Sequence, residues 1–174
     1  MSIAEAVASA TQYLTDHPDE ARYRDSAAVA RLVEGLRVQV RGADGSNLQT
    51  DLPTGIGGTA TAPSPGWLFR AAIASCVASL IAIRAAVLEW ELESVEVEVD
   101  GESDDRGILG MADDIPAGPL STRIAVGMSV RGGGHDVKAL VQWAVDHCPV
   151  SDGLKRAVPV ELTIRPGSEP VRRP

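Results

Sequence analysis

Two thiols, Cys76 and Cys148, are the residues of this 174-residue chain best suited to covalent chemistry, and they are its only cysteines. A cysteine reacts as its thiolate, so each must be judged by what would lower its pKa. Cys148 stands directly before Pro149. That proline pushes Cys148 out of the α region and suits the first turn of a helix. A short helix is therefore expected from Pro149 to about Arg156, with Cys148 at its start, where the backbone dipole favours a thiolate. Cys76 falls inside an apolar stretch. By itself it reads as a small packed hydrophobe whose burial raises its pKa, and it becomes a nucleophile only beside a cation. Arg31, Arg37 and Arg41 are the geometric candidates. Arg70 lies six residues back on another helix face, and Arg84 lies two turns further on.

Other site chemistries fit poorly. His17, His135 and His147 do not combine with the cysteines at zinc spacing, and His147 and Cys148 are adjacent, so no metal is expected. Gly55-Ile56-Gly57-Gly58-Thr59-Ala60 formally fits a dinucleotide fingerprint. That motif needs a strand before it and a helix directly after, whereas here Pro53 precedes and Pro63 and Pro65 follow, so no nucleotide cofactor is expected. The net charge is −8, from 16 Lys and Arg against 24 Asp and Glu, which disfavours nucleic acid and anionic membranes as partners. The first twenty residues carry Glu5, Asp16, Asp19 and Glu20 and do not read as a signal peptide. The uncharged run Ala71–Ile83 is too short to span a bilayer. A cytoplasmic location follows as the expectation, where two cysteines are normally reduced.

The elements that must position these thiols can be read from periodicity. With apolar residues at 44 % and aromatics at 3 %, the core must be built from Ala, Val, Ile and Leu. Ile3, Val7, Ala10 and Leu14 share one face of a helix over 2–14, a stretch set apart as an N-terminal extension of residues 1–24. Residues 27–33 and 36–41 read as a strand pair turning at Glu34-Gly35. Ala43-Asp44-Gly45-Ser46 is a hairpin turn signal leading to a strand over 47–52. Residues 53–66 form a Gly/Pro/Ser/Thr loop of functional length. A helix from Pro65 to about Leu88 is apolar on nearly every side, which calls for burial against a sheet and a partner subunit. Residues 94–100 and 122–130 alternate as strands, with a long loop over 104–119 between them. Residues 136–147 form an amphipathic helix, and 158–164 a closing strand. The order implies an α+β fold with antiparallel sheets. The main domain spans 25–166, and a flexible tail is expected over 167–174.

Cys148-Pro149-Val150-Ser151 resembles the active-site stretch of monothiol glutaredoxins, but only one strand follows it, against the several a thioredoxin-like fold requires. Two blocks together resemble the OsmC/Ohr family of thiol-dependent hydroperoxide reductases. The first is Pro65-Gly66-Trp67-Leu68-Phe69-Arg70-Ala71-Ala72-Ile73-Ala74-Ser75-Cys76. The second is His147-Cys148-Pro149-Val150-Ser151 with Leu154 and Val158-Pro159-Val160-Glu161-Leu162. The region Leu92–Gly101 also fits, so the resemblance covers roughly Ala27 to Ile164.

The resemblance implies an intertwined homodimer, with sheets wrapped around long central helices and sites at the dimer interface. It implies that Cys76 attacks a hydroperoxide, that Cys148 resolves the sulfenic acid to a disulfide, and that a cellular dithiol reduces it. Arg37 best matches the activating arginine, with Arg31 and Arg41 open. There is one departure. The organic-hydroperoxide branch has a Glu directly after the proline, to pair with that arginine, and here the position is Gly66. Asp51 or another acid would have to replace it. The alternative is a small-molecule or lipid-binding dimer, or a redox sensor, with little turnover.

Overall fold

The structure is a computed structural model, and it describes residues 1–164. The expected tail over 167–174 lies outside the described residues. Ser2 caps helix α1 (Ile3–Asp16) through a reciprocal capping box with Glu5. A 3-10 turn over Pro18–Ala21 follows. Strands β1 (Ala28–Glu34), β2 (Arg37–Gly42) and β3 (Asn47–Thr50) form an antiparallel sheet in the order β1-β2-β3. Gly35, at φ +54°, makes the first turn, a conformation that favours glycine.

Helix α2 (Pro65–Val87) begins at Ser64, whose hydroxyl accepts the Trp67 N–H, with Pro65 in the first turn. Its charges sit near its ends, and it is longer than the uncharged run inside it. By length and composition it could cross a membrane. In this fold Ile73, Val77, Ile81 and Ala85, spaced four apart, are instead buried on one face. Full burial of each isoleucine or valine is worth roughly 1.5–3 kcal/mol. The covering surface comes from β4 (Leu92–Glu102) and β5 (Ser121–Val130), a two-stranded antiparallel ladder. It sends Val95, Val97, Val99, Ile124, Val126 and Met128 toward that face. The alternate residues Glu96 and Glu98 point to solvent, as a one-sided sheet requires.

Between these strands the expected long loop holds one helical turn, α3 (Asp105–Ile108), started by Asp104, whose carboxylate accepts the Arg106 N–H. Helix α4 (Val137–Asp146) starts at Asp136 and buries Leu140 and Ala144 against α2. Cys148 then starts α5 (Pro149–Lys155). The α+β class with antiparallel sheets is as expected from the sequence.

One expected element differs. Residues 158–164 form no strand among the described residues. Val158, Val160, Leu162 and Ile164 keep their alternation but are 49 %, 93 %, 80 % and 75 % exposed. A strand exists only through a ladder with a neighbour, and the described residues offer this segment none.

Candidate active site

Cys76 and Cys148 are distant in sequence and adjacent in the fold. Helix α2 carries Cys76 one residue before buried Val77, at the edge of its inner face. Helices α4 and α5 both pack on α2 and hold Cys148 at the corner between them. Both cysteines are free thiols; Cys76 is half-buried and Cys148 wholly buried.

Their hydrogen bonds divide the pair. Cys148 accepts the Ser151 N–H at 3.5 Å. Burial alone would raise the Cys148 thiol. The Ser151 N–H and a hydrogen bond from the Cys76 thiol outweigh it and bring Cys148 below its ordinary value. Cys76 responds in the opposite sense. Burial first, then its bond to Cys148, push it up to about 11, although the Val150 N–H opposes the rise. Within the single chain the two shifts therefore run in opposite directions, up for Cys76 and down for Cys148.

None of the three candidate arginines contributes to the state of Cys76 in the single chain. Their register places them together elsewhere. Arg31 opposes Gln39 and Arg41 opposes Val29, so Arg31, Arg37 and Arg41 share one face of the β1-β2-β3 sheet. Arg37 Nη2 donates to Glu34 Oε2 at 2.7 Å across the turn. The opposite face is apolar, with Leu32, Val38, Val40 and Leu48, of which Leu32 is 69 % exposed. Among the described residues, this sheet packs extensively on no helix.

Asp51 has a structural task that motif spacing did not signal. Its carboxylate is buried and accepts the N–H groups of Leu52 at 2.8 Å and of Thr59 and Thr61 at 3.1 Å. It also accepts both threonine hydroxyls, at 2.5 and 3.0 Å. The Thr59 hydroxyl and then the Thr61 N–H are the main reasons its pKa lies far below the usual carboxylate range. Asp51 thus ties the 52–61 loop into a knot, and its bonds go to that loop rather than to an arginine. Gly58 completes the knot, since a Cβ there would lie 1.8 Å from the Leu52 carbonyl oxygen. At Gly66, a Cβ would meet only Arg70 Nη1 and Ser64 Oγ, each at 3.9 Å.

Beside that first turn of α2 opens a cavity of about 490 Å³. It is bounded by the 52–56 segment, Gly66, Phe69, Arg70 and the loop before β5. A smaller hollow of about 310 Å³ shares Pro119, Ser121 and Thr122 with it and reaches Ile73 and Ser151.

The family model for OsmC-like proteins matches residues 58–163. No curated protein sequence matches the chain. Among solved structures, an OsmC-like protein from Mycoplasma pneumoniae superposes with a TM-score of 0.66 at 14 % identity, over 78 % of this chain and 91 % of that one. An OsmC-like protein of unknown function from Vibrio cholerae gives 0.64 at 11 % identity, over 75 % and 94 %. The organic hydroperoxide resistance protein OsmC from Legionella pneumophila gives 0.54 at 25 % identity, over 77 % and 91 %.

Proposed function

The chain belongs to the OsmC-like family, and from that premise we propose that it is a thiol-dependent reductase of organic hydroperoxides. The observation that carries this reading is the juxtaposition of two free thiols, Cys76 and Cys148, far apart in sequence. The similarity to a hydroperoxide resistance protein at 25 % identity supports the same peroxide-related role.

Accessibility assigns the first step to Cys76. Cys148 is 0 % exposed, so a peroxide cannot reach its sulfur, whereas Cys76 is half-buried. The Cys76 thiolate attacks the distal peroxide oxygen. A sulfur–oxygen bond forms, the oxygen–oxygen bond breaks, and the departing alkoxide takes a proton to leave as an alcohol. Sulfur has lost two electrons and the peroxide has gained them. The Cys148 sulfur then attacks the sulfenic acid, expelling water and forming a disulfide. A cellular dithiol returns both thiols by exchange.

A thiol at about 11 must first be deprotonated. A guanidinium beside the sulfur would stabilise the thiolate while the proton passes to water, and Arg37 is the residue we assign, with Arg31 and Arg41 on the same sheet face. In the proposed homodimer, the second copy gives the extended 158–164 segment a ladder partner and wraps both faces of that sheet, an apolar surface against Leu32 and Leu48 and a thiol pair against the arginines on the other face.

The direct test is mass spectrometry after one equivalent of cumene hydroperoxide. A Cys76–Cys148 disulfide and one equivalent of alcohol are expected. Thiols that stay reduced while peroxide persists would overturn the reading.

A further inference from the structure

The cavity at the start of α2 is lined by one guanidinium and three carboxylates. Arg70 lines it, half-buried, and makes no ion pair among the described residues. Two of the carboxylates are held by other arginines, although Asp100, kept below its ordinary value by Arg123 first, is also lowered more weakly by the charge of Arg70. Asp100 accepts Arg123 Nε at 3.0 Å and Arg123 Nη2 on its other oxygen. Asp104 accepts Arg106 Nε at 2.9 Å. Asp105 sits on the rim, at the exposed start of α3. Gly66 leaves the space beside the guanidinium open, because a side chain there would begin 3.9 Å from Arg70 Nη1. The α2 N-terminus adds partial positive charge from the same side. The remaining wall is apolar, with Pro53, Ile56, Phe69, Ile108, Ala117 and Pro119. At about 490 Å³ the cavity has the size of a small-molecule site.

The geometry points to a binding site for an amphipathic monocarboxylate: Arg70 holds the carboxylate over Gly66, and the apolar wall holds a hydrocarbon tail. A neutral apolar ligand would leave the guanidinium without a direct ion-pair partner, and a dianion would meet Asp105 and Asp100. The shared hollow along Pro119, Ser121 and Thr122 leads from this cavity toward Ser151, whose N–H holds the Cys148 sulfur. A tail in that hollow would carry a hydroperoxide group toward the thiols. That last step rests on the peroxidase reading, whereas the site itself does not.

Calorimetry of the full chain with decanoate and with 1-decanol separates the two, since neither is a peroxide. Decanoate is expected to bind and decanol to bind roughly 10-fold or more weaker, because a charge-assisted hydrogen bond is lost. Arg70→Gln should weaken decanoate by roughly 10- to 100-fold and leave decanol unchanged. Gly66→Glu should do the same by placing an internal carboxylate beside Arg70. This substitution adds an acid to a helix first turn, where it is tolerated. Equal binding of acid and alcohol, no binding of either, or decanoate binding that survives both substitutions would overturn the site. If decanoate binds as expected while cumene hydroperoxide leaves the thiols reduced, the site stands and the peroxidase reading falls.

Discussion

The body formed by α2, β4, β5 and α4 contrasts with the three-stranded β1-β2-β3 sheet. In the first, Ile73, Val77, Ile81 and Ala144 are fully buried and the thiols are fixed by three packed helices. In the second, Leu32 and Leu48 are 69 % and 41 % exposed although they share an apolar face. An apolar face of that kind on an otherwise regular sheet marks an interaction surface. In the proposed site the chemistry is divided along the same line. The body would supply sulfur and the sheet arginine, and a second copy set against the arginine face would bring the two into contact.

The largest expected effect lies on the body side. Cys76→Ser should abolish catalytic peroxide consumption. Cys148→Ser should allow one turnover and leave a Cys76 sulfenic acid that dimedone traps. If Cys148→Ser removes the first turnover and Cys76→Ser keeps it, the roles are reversed.

Next comes the sheet side. With a pKa of about 11, Cys76 is thiolate in only about one molecule in ten thousand at pH 7 without a cation. Arg37→Ala should therefore slow stopped-flow reaction with cumene hydroperoxide by roughly 10²-fold or more. Its rate should also keep rising into alkaline pH, because the thiolate then forms only as pH approaches the unassisted value. Arg31→Ala and Arg41→Ala should change the rate by less than about threefold, as exposed charges do. A reversed ranking would move the activating role to one of them.

Stability should divide in the same way. Ile81→Ala, in the closed body, should cost about 2–5 kcal/mol in urea unfolding. Leu32→Asp should leave the body folded by circular dichroism but shift sedimentation toward monomer. A Leu32→Asp chain that sediments unchanged would show that the sheet is not covered by a second copy.

The smallest effect concerns the loop knot. The folded pKa of Asp51 lies below its unfolded value, so its stabilisation is complete above the ordinary carboxylate pKa of about 4 and fades as pH falls below it. Asp51→Asn should flatten the acid limb of a stability-against-pH curve. An acid limb identical to that of the parent would deny Asp51 this part.

The body was legible in the sequence because each of its signals is local. Ser64-Pro65 starts α2, Asp136 starts α4, Cys148-Pro149 starts α5, and alternation at Val95, Val97 and Val99 shows which face of β4 is inward. Residues 158–164 alternate equally well and form no strand, because alternation selects a face and cannot supply a neighbour. The helical turn Asp105–Ile108 was missed because four residues are too few to show a period. The knot around Asp51 depends on donors eight and ten residues away, which no local pattern encodes. The approach of Cys76 to Cys148 depends on how α4 and α5 lie across α2, which neither cysteine's neighbours specify.

The sulfur that accepts the Ser151 N–H is also the sulfur that closes the proposed disulfide. A thiolate accepts such a bond well, whereas a disulfide sulfur, without charge, accepts it poorly. Each catalytic cycle would therefore loosen and then restore the first turn of α5. The Ser151 amide becomes a built-in gauge of oxidation state, readable as its hydrogen-exchange rate in the two forms of the protein.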